Sequence, residues 1–124
     1  MDGSIDIERL TGELGDVESA LSFTGRYLGS LGGRMDAIEY ALARGDAALV
    51  HREAHAIKGG ALSIMAGELR LCAEALELEA KKAILARGAE RLAAIRAAFA
   101  ATTAYYERWK GRTHENHTDT AGGG

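Results

Sequence analysis

Apolar residues recur along this chain at intervals of three and four positions, the spacing that places them on one face of an α-helix. The sequence has no proline, and no stretch alternates apolar with polar residues as a half-buried β-strand would. The most regular repeat lies towards the C-terminus, at Leu92, Ile95, Phe99, Thr102, Tyr106 and Trp109. The pattern therefore predicts an all-α protein.

Residues that can cap helices divide this pattern into separate elements. Ser4 is expected to cap a short first helix, Asp16 a second, and Asp46 the helix that follows Gly45. The physical reason is that serine and aspartate oxygens accept hydrogen bonds from the free N–H groups of a first helical turn. Each predicted start is followed by apolar residues at helical spacing.

Glycines are expected to interrupt or end the helices. Gly32-Gly33 predicts a break or kink in the second helix, the helix that carries His55 is expected to end near Gly67, and the next helix is predicted to reach Arg87-Gly88. Amphipathic helices joined by short turns pack most simply as an antiparallel up-down four-helix bundle. The extra short N-terminal helix is expected to lie across one end of this bundle.

Chain length bounds the domain organisation. The 124 residues suffice for one compact domain with a core, and not for two ordinary domains. We predict that residues 1–112 form the four-helix-bundle domain. Residues 113–124 are predicted to be a flexible C-terminal tail, because they are polar and end in three glycines.

Charge and hydropathy narrow the classes of function. The formal net charge is −3 and the basic residues form no cluster, so no nucleic-acid partner is expected. No apolar run is long enough to span a bilayer, and the N-terminus lacks the features of a signal peptide, so we expect no membrane association. The single cysteine, Cys72, agrees with a reducing compartment and hence with a cytoplasmic location.

The predicted helix from Asp46 to Ile64 carries the candidate chemistry. At roughly 100° per residue, one flank of this helix lies about a quarter-turn from its apolar core stripe. The residues on that flank are His51, His55, Lys58, Gly59 and Leu62. His55 is therefore expected to be held by packing and yet open to a partner.

The residues after His55 favour a phosphoryl-carrying site. Glycine inside a helix costs about 1 kcal/mol relative to alanine, so Gly59 needs a reason, and close approach of another protein is the natural one. A phosphorylated imidazole carries added negative charge that a nearby ammonium group, here Lys58, would stabilise. His51 and Leu62 are expected to contribute to partner docking.

A second helix is expected to support the histidine. If the chain folds back about Met65-Ala66, His55 and Glu77 lie at the same level of the bundle. Glu77 could then bind one imidazole nitrogen and leave the other as nucleophile. The sequence leaves open which nitrogen reacts.

The neighbours of the histidines disfavour two other kinds of site. His51 and His55, one turn apart, invite comparison with a zinc-protease helix, but Arg52 occupies the position of the glutamate that directly follows the first histidine there. No third ligand is evident nearby, so we predict no metal site. Histidine-kinase dimerisation helices place an acidic residue after the histidine and a proline soon after it, whereas Ala56 follows here and proline is absent.

The string His55-Ala-Ile-Lys-Gly-Gly-Ala-Leu-Ser-Ile resembles the signature of histidine-containing phosphotransfer (HPt) domains, as do Ala66, Leu69, Leu76 and Glu77 further on. The likeness in layout extends over nearly the whole chain to Trp109. One position departs from it: ten residues after the histidine the family usually has glycine, and this chain has Met65, with Gly67 two places later. That departure bears on the shape of the turn between the two helices.

The resemblance implies a phosphoryl carrier without kinase activity. His55 would accept a phosphoryl group from a receiver-domain aspartate of a response regulator and pass it to another receiver, with Lys58 and Gly59 at the matching site positions. The carrier would need no cofactor of its own, because the receiver supplies Mg²⁺, and it is expected to be a monomer. The sequence leaves open whether a partner receiver belongs to a hybrid histidine kinase. The alternative is a helical adaptor that binds a receiver or kinase without transferring phosphoryl groups.

Overall fold

The computed structural model describes residues 2–123, with side chains as far as Thr113. Within that range the chain forms five α-helices and no strand longer than an isolated bridge. The helices are α1 (Ile7–Leu14), α2 (Val17–Arg44), α3 (Ala47–Ser63), α4 (Gly67–Lys81) and α5 (Gly88–Gly123). The predicted all-α class is confirmed.

The four longer helices form a closed bundle. Helix α2 packs against α3 and α5, and α4 packs against the same two helices from the other side. Because the connections between successive helices are short, neighbouring helices run antiparallel, as predicted. The short α1 packs against α2. The buried core between the four helices includes Leu31, Ile38, Ile57, Leu76 and Ile95.

Two of the predicted helix starts are confirmed. Asp16 precedes α2, and its side chain accepts a hydrogen bond from the backbone N–H of Ser19 at 2.7 Å. Asp46 precedes α3 and accepts from the N–H of Leu49 at 3.1 Å. The second cap fixes where the helix that carries His55 begins.

The predicted start of the first helix is wrong. Asp6, rather than Ser4, caps α1, through a hydrogen bond from the N–H of Arg9 at 3.1 Å. The helix cannot begin earlier because Ile5 pairs with Ala66 in an antiparallel bridge, which keeps the preceding backbone out of the helix. This bridge ties the N-terminus to the turn between α3 and α4.

The predicted break at Gly32-Gly33 is also wrong, because α2 continues through both glycines. The flanking Leu31 and Met35 are both buried, so the apolar face of α2 stays continuous across the pair. Burial along that face offsets the intrinsic cost of two glycines in a helix.

Helices α2, α3 and α4 end in the same hydrogen-bonded motif. In each, one residue has a left-handed backbone and donates its N–H to the carbonyl three residues back, and the next residue donates to the carbonyl five back. The left-handed residues are Gly45 (φ 67°), Met65 (φ 58°) and Ala83 (φ 58°). Helix α4 therefore ends at Lys81, earlier than the predicted Arg87-Gly88.

Helix α5 extends to Gly123 and so crosses the predicted boundary between the bundle domain, residues 1–112, and the tail, residues 113–124. That division stays a prediction, and its last residue, Gly124, lies outside the described residues. Despite its length, α5 is too polar to cross a membrane, and none of the other helices in the described part of the chain is long and apolar enough to do so.

Candidate functional site

His55 lies on the outer flank of α3. Its side chain is 66% exposed, whereas the residues of the core stripe on the same helix, Val50, Ala54, Ile57 and Ala61, are fully buried. The packed stripe holds the helix in place, and the imidazole stands outside the bundle. The structure thus places this ring where another protein can reach it.

Glu77 approaches His55 from α4. Its side chain is only 8% exposed, and its two oxygens bind two residues of α3. Oε2 is hydrogen-bonded to Nδ1 of His55, and Oε1 accepts a hydrogen bond from Nζ of Lys58 at 2.7 Å. The chain therefore brings together three of the residues that the sequence singles out.

The surroundings of Glu77 keep its carboxylate ionised. Burial by itself would raise the pKa of Glu77, but the hydrogen bonds from Lys58 and His55 and their positive charge outweigh it, so that the pKa is lowered below its ordinary value. Near neutral pH the carboxylate is therefore an acceptor on both oxygens.

The contact with Glu77 selects one tautomer of His55. An ionised carboxylate can only accept hydrogen bonds, so the proton of a neutral imidazole must lie on Nδ1. The lone pair is then on Nε2, which is not engaged by Glu77. The sequence left open which nitrogen reacts, and this geometry favours Nε2.

Lys58 occupies a different place from the one that the sequence suggests. Its side chain is 23% exposed, and its ammonium group binds Glu77. Matching residues by level in the bundle does not predict this pairing, because Lys58 lies one turn further along α3 than His55 and is therefore level with a position about one turn before Glu77 on α4. Helical periodicity alone does not reveal it.

The two glycines after Lys58 have different surroundings. A Cβ atom added at Gly59 would meet nothing within 4 Å, so this exposed position leaves bare backbone beside the imidazole. A Cβ at Gly60 would lie 3.0 Å from Leu31 Cδ2, so Gly60 allows α3 to pack closely against α2. Only Gly59 therefore faces a possible partner.

Leu62 and His51 lie on either side of His55 along α3. Leu62 is 54% exposed and lines a groove together with Met65 and Arg9 of α1. His51 is half-buried, and its ring lies nearly parallel to that of His55, at 14° with 6.3 Å between ring centroids. The contribution of α1 to the groove was not predicted, because periodicity does not show which helix ends meet.

The site offers no evident metal centre. Among the residues with described side chains, no three of the types His, Cys, Asp and Glu come together as metal ligands. Glu77 instead binds Lys58 and His55. Among the described side chains, no carboxylate lies within hydrogen-bonding distance of His51.

Comparison with known proteins identifies the family to which this fold belongs. The family model of the Hpt domain matches residues 22–105, a span that contains His55, Lys58, Gly59 and Glu77. A search of the curated proteins gives no significant match. Among solved structures, histidine-containing phosphotransfer protein B (HptB) from Pseudomonas aeruginosa PAO1 has a similar fold, with a TM-score of 0.79 and 22% sequence identity over 87% of this chain and 95% of that one. The family match over most of the chain, together with the shared fold, shows that this chain belongs to the Hpt domain family of phosphorelay phosphocarriers.

Proposed function

We propose that His55 accepts a phosphoryl group on Nε2 from the phosphorylated aspartate of one receiver domain and delivers it to the aspartate of another. The observation that carries this proposal is the exposed imidazole whose Nδ1 is bound to the nearly buried Glu77. This arrangement leaves one nucleophilic nitrogen, in a defined orientation, facing the surroundings.

The proposed transfer balances without an additional proton acceptor. The Nε2 lone pair attacks phosphorus, so that the N–P bond forms while the P–O bond to aspartate breaks, and the departing carboxylate takes the bonding electrons. The proton on Nδ1 stays there and remains hydrogen-bonded to Glu77 throughout. The reverse sequence of events delivers the group to the second receiver.

The carrier contributes a positioned nucleophile and a surface, and the receiver contributes the charge that stabilises transfer. We propose no resident cofactor for this chain, since the receiver binds the Mg²⁺ that neutralises the phosphoryl oxygens. Lys58 keeps Glu77 ionised and in place rather than acting as a free cation. The chain is proposed to act as a monomer. A receiver domain of a hybrid histidine kinase is one proposed donor of the phosphoryl group.

The proposed docking face surrounds His55 on α3. The bare backbone at Gly59 allows close approach, exposed Leu62 supplies an apolar contact, and His51 borders the face on the other side. Exposed apolar side chains beside a polar centre are typical of protein docking sites. Met65 adopts the left-handed backbone that its turn requires, so the departure from glycine leaves the turn intact.

The test uses receiver domains charged with radiolabelled acetyl phosphate. A panel of such receivers is mixed with the wild-type chain and with His55→Ala, and the label on this chain is assayed for loss in acid and retention in alkali, as expected of phosphohistidine. Labelling of the wild type alone supports the proposal. Equal labelling of His55→Ala, or binding of receivers without any label on the wild type, overturns it, and the second result identifies an adaptor.

A further inference from the structure

His51 is the imidazole neighbour of the proposed phosphoryl acceptor. It lies one turn before His55 on α3, the two rings are inclined by only 14°, and their centroids are 6.3 Å apart. This separation is too long for a hydrogen bond between the rings. It is short enough for a group that is bonded to one ring to accept a hydrogen bond from the other.

The charges beside His55 are already paired before any phosphoryl group arrives. Lys58 binds Glu77 at 2.7 Å, and the pKa of Glu77 is lowered despite burial, because its hydrogen bonds to Lys58 and His55 favour the ionised form. One positive and one negative charge thus offset each other. A phosphoryl group on Nε2 adds negative charge that this pair does not neutralise.

One turn after His55, the ammonium group of Lys58 is already bound to Glu77, and Gly59 offers no donor side chain. Gly59 follows His55 by four residues and has no side chain, so the C-terminal side of the imidazole is open. On the N-terminal side, the ring N–H of His51 is available, because no hydrogen bond engages that ring among the described side chains. The phosphoryl oxygens of a tetrahedral group stand out of the plane of the ring that carries them, and therefore one of them can extend towards the neighbouring parallel ring.

We propose that His51 is a positioning residue that donates a hydrogen bond to the phosphoryl group on His55. The inference rests on the proposed function and adds to it a device that sets how long the domain retains the phosphoryl group. A hydrogen bond to a charged acceptor stabilises the phosphorylated form relative to the free form. Its loss shifts the phosphoryl group from this chain towards the receiver.

Two substitutions separate hydrogen bonding from packing. His51→Phe keeps an aromatic ring at the position but removes the donor, whereas His51→Gln removes the ring and keeps an N–H donor. For the full chain and one charged receiver, the measurements are the equilibrium partition of label between the two proteins, the half-life of phosphohistidine, and its ³¹P chemical shift. We expect His51→Phe to shift the partition about fivefold towards the receiver and His51→Gln to stay near the wild type.

The outcomes distinguish this inference from the function on which it rests. If the wild type takes no label, both fail. If the wild type is labelled and His51→Phe has the same partition, half-life and ³¹P shift, the inference alone is overturned. His51→Ala guards against an effect of the phenylalanine ring itself, since it must reproduce the loss seen with His51→Phe. Thermal melting of each variant establishes that the helix is intact.

Discussion

Glu77 holds His55 from the neighbouring helix through Oε2, which binds no other side chain among those that the structure describes. Its second oxygen binds Lys58, so one nearly buried carboxylate fixes two side chains of α3 at once. The orientation of the exposed imidazole is thus set by a group inside the bundle. Because Glu77 binds only the Nδ1 edge of the ring, the imidazole has a fixed tautomer and its other edge stays accessible to a partner protein.

Replacement of Glu77 by glutamine is expected to impair both stability and transfer. Glutamine offers one acceptor oxygen where the site needs two, so its amide N–H group must face either Nδ1–H of His55 or the ammonium of Lys58. We expect Glu77→Gln to lower the free energy of unfolding by about 2 kcal/mol. The rate of His55 labelling is expected to fall about tenfold, as the productive tautomer is no longer enforced.

Glu74→Gln is the matched control for this variant. Glu74 lies one turn before Glu77 on α4 and pairs with Arg70 at 3.1 Å, and both side chains are about one third exposed. Such surface pairs contribute less than about 1 kcal/mol. Urea unfolding and labelling with a charged receiver measure both variants, and equal effects of the two substitutions would contradict the role assigned to Glu77.

The contribution of Glu77 to stability is expected to disappear in acid. Its pKa is lowered in the folded state although burial opposes this, because of the hydrogen bonds and charges of Lys58 and His55. The unfolded chain therefore takes up the proton at a higher pH than the folded chain. The stabilisation is complete above the ordinary glutamate pKa of 4.5 and is lost as the pH falls through the folded-state value.

Comparison with Glu77→Gln isolates this effect from the other carboxylates. The difference in free energy of unfolding between wild type and Glu77→Gln should be constant from about pH 7 to about pH 5 and should narrow below the ordinary glutamate pKa. Urea titrations at a series of pH values measure it. A difference that stays unchanged down to about pH 3 would show that Glu77 is not stabilised in its ionised form.

Alanine at Gly59 is expected to separate stability from function. An added Cβ meets no atom within 4 Å, and alanine is favoured over glycine in a helix, so Gly59→Ala should raise the free energy of unfolding by about 0.5 to 1 kcal/mol. If receivers approach the bare backbone beside His55, the same methyl group should slow transfer severalfold.

Gly29→Ala, at an exposed glycine of α2 with equally open surroundings, should give the same stabilisation without slowing transfer. Unchanged transfer in Gly59→Ala would remove Gly59 from the docking face.

Much of the site could be predicted because it depends on helical periodicity and on which residues of adjacent helices lie at the same height in the bundle. The spacing along α3 places His55 on a flank, and counting from the turn at Met65 matches it with Glu77 on α4. Neither consideration shows whether the flexible side chain of Lys58 binds a carboxylate of the bundle or stays free for an incoming phosphoryl group. That choice depends on the buried position of Glu77, and so the pairing of Lys58 emerges only from the packed structure.

The helix ends show the same limit. The left-handed turn at Gly45 can be predicted from the sequence, because glycine adopts that backbone without steric cost. Met65 and Ala83 adopt the same conformation at the ends of α3 and α4, yet neither residue type signals it. The predicted end of α4 was consequently several residues late. Tertiary packing and the hydrogen bonds of the helix-ending motif determine these two turns.

Glycine at position 83 is expected to stabilise the fold. Ala83 has φ of 58° and is exposed, so its substitution removes a steric penalty of about 1 to 2 kcal/mol and sacrifices no buried surface. The greater freedom of glycine in the unfolded chain offsets part of this gain, and we expect a net increase of about 0.5 to 1 kcal/mol in the free energy of unfolding.

Ala86→Gly is the control, because Ala86 lies in the same loop, is exposed and has no left-handed backbone. That variant should lose about 0.5 kcal/mol. Urea unfolding measures both, and a loss of stability in Ala83→Gly comparable to that in Ala86→Gly would show that the backbone at position 83 carries no strain.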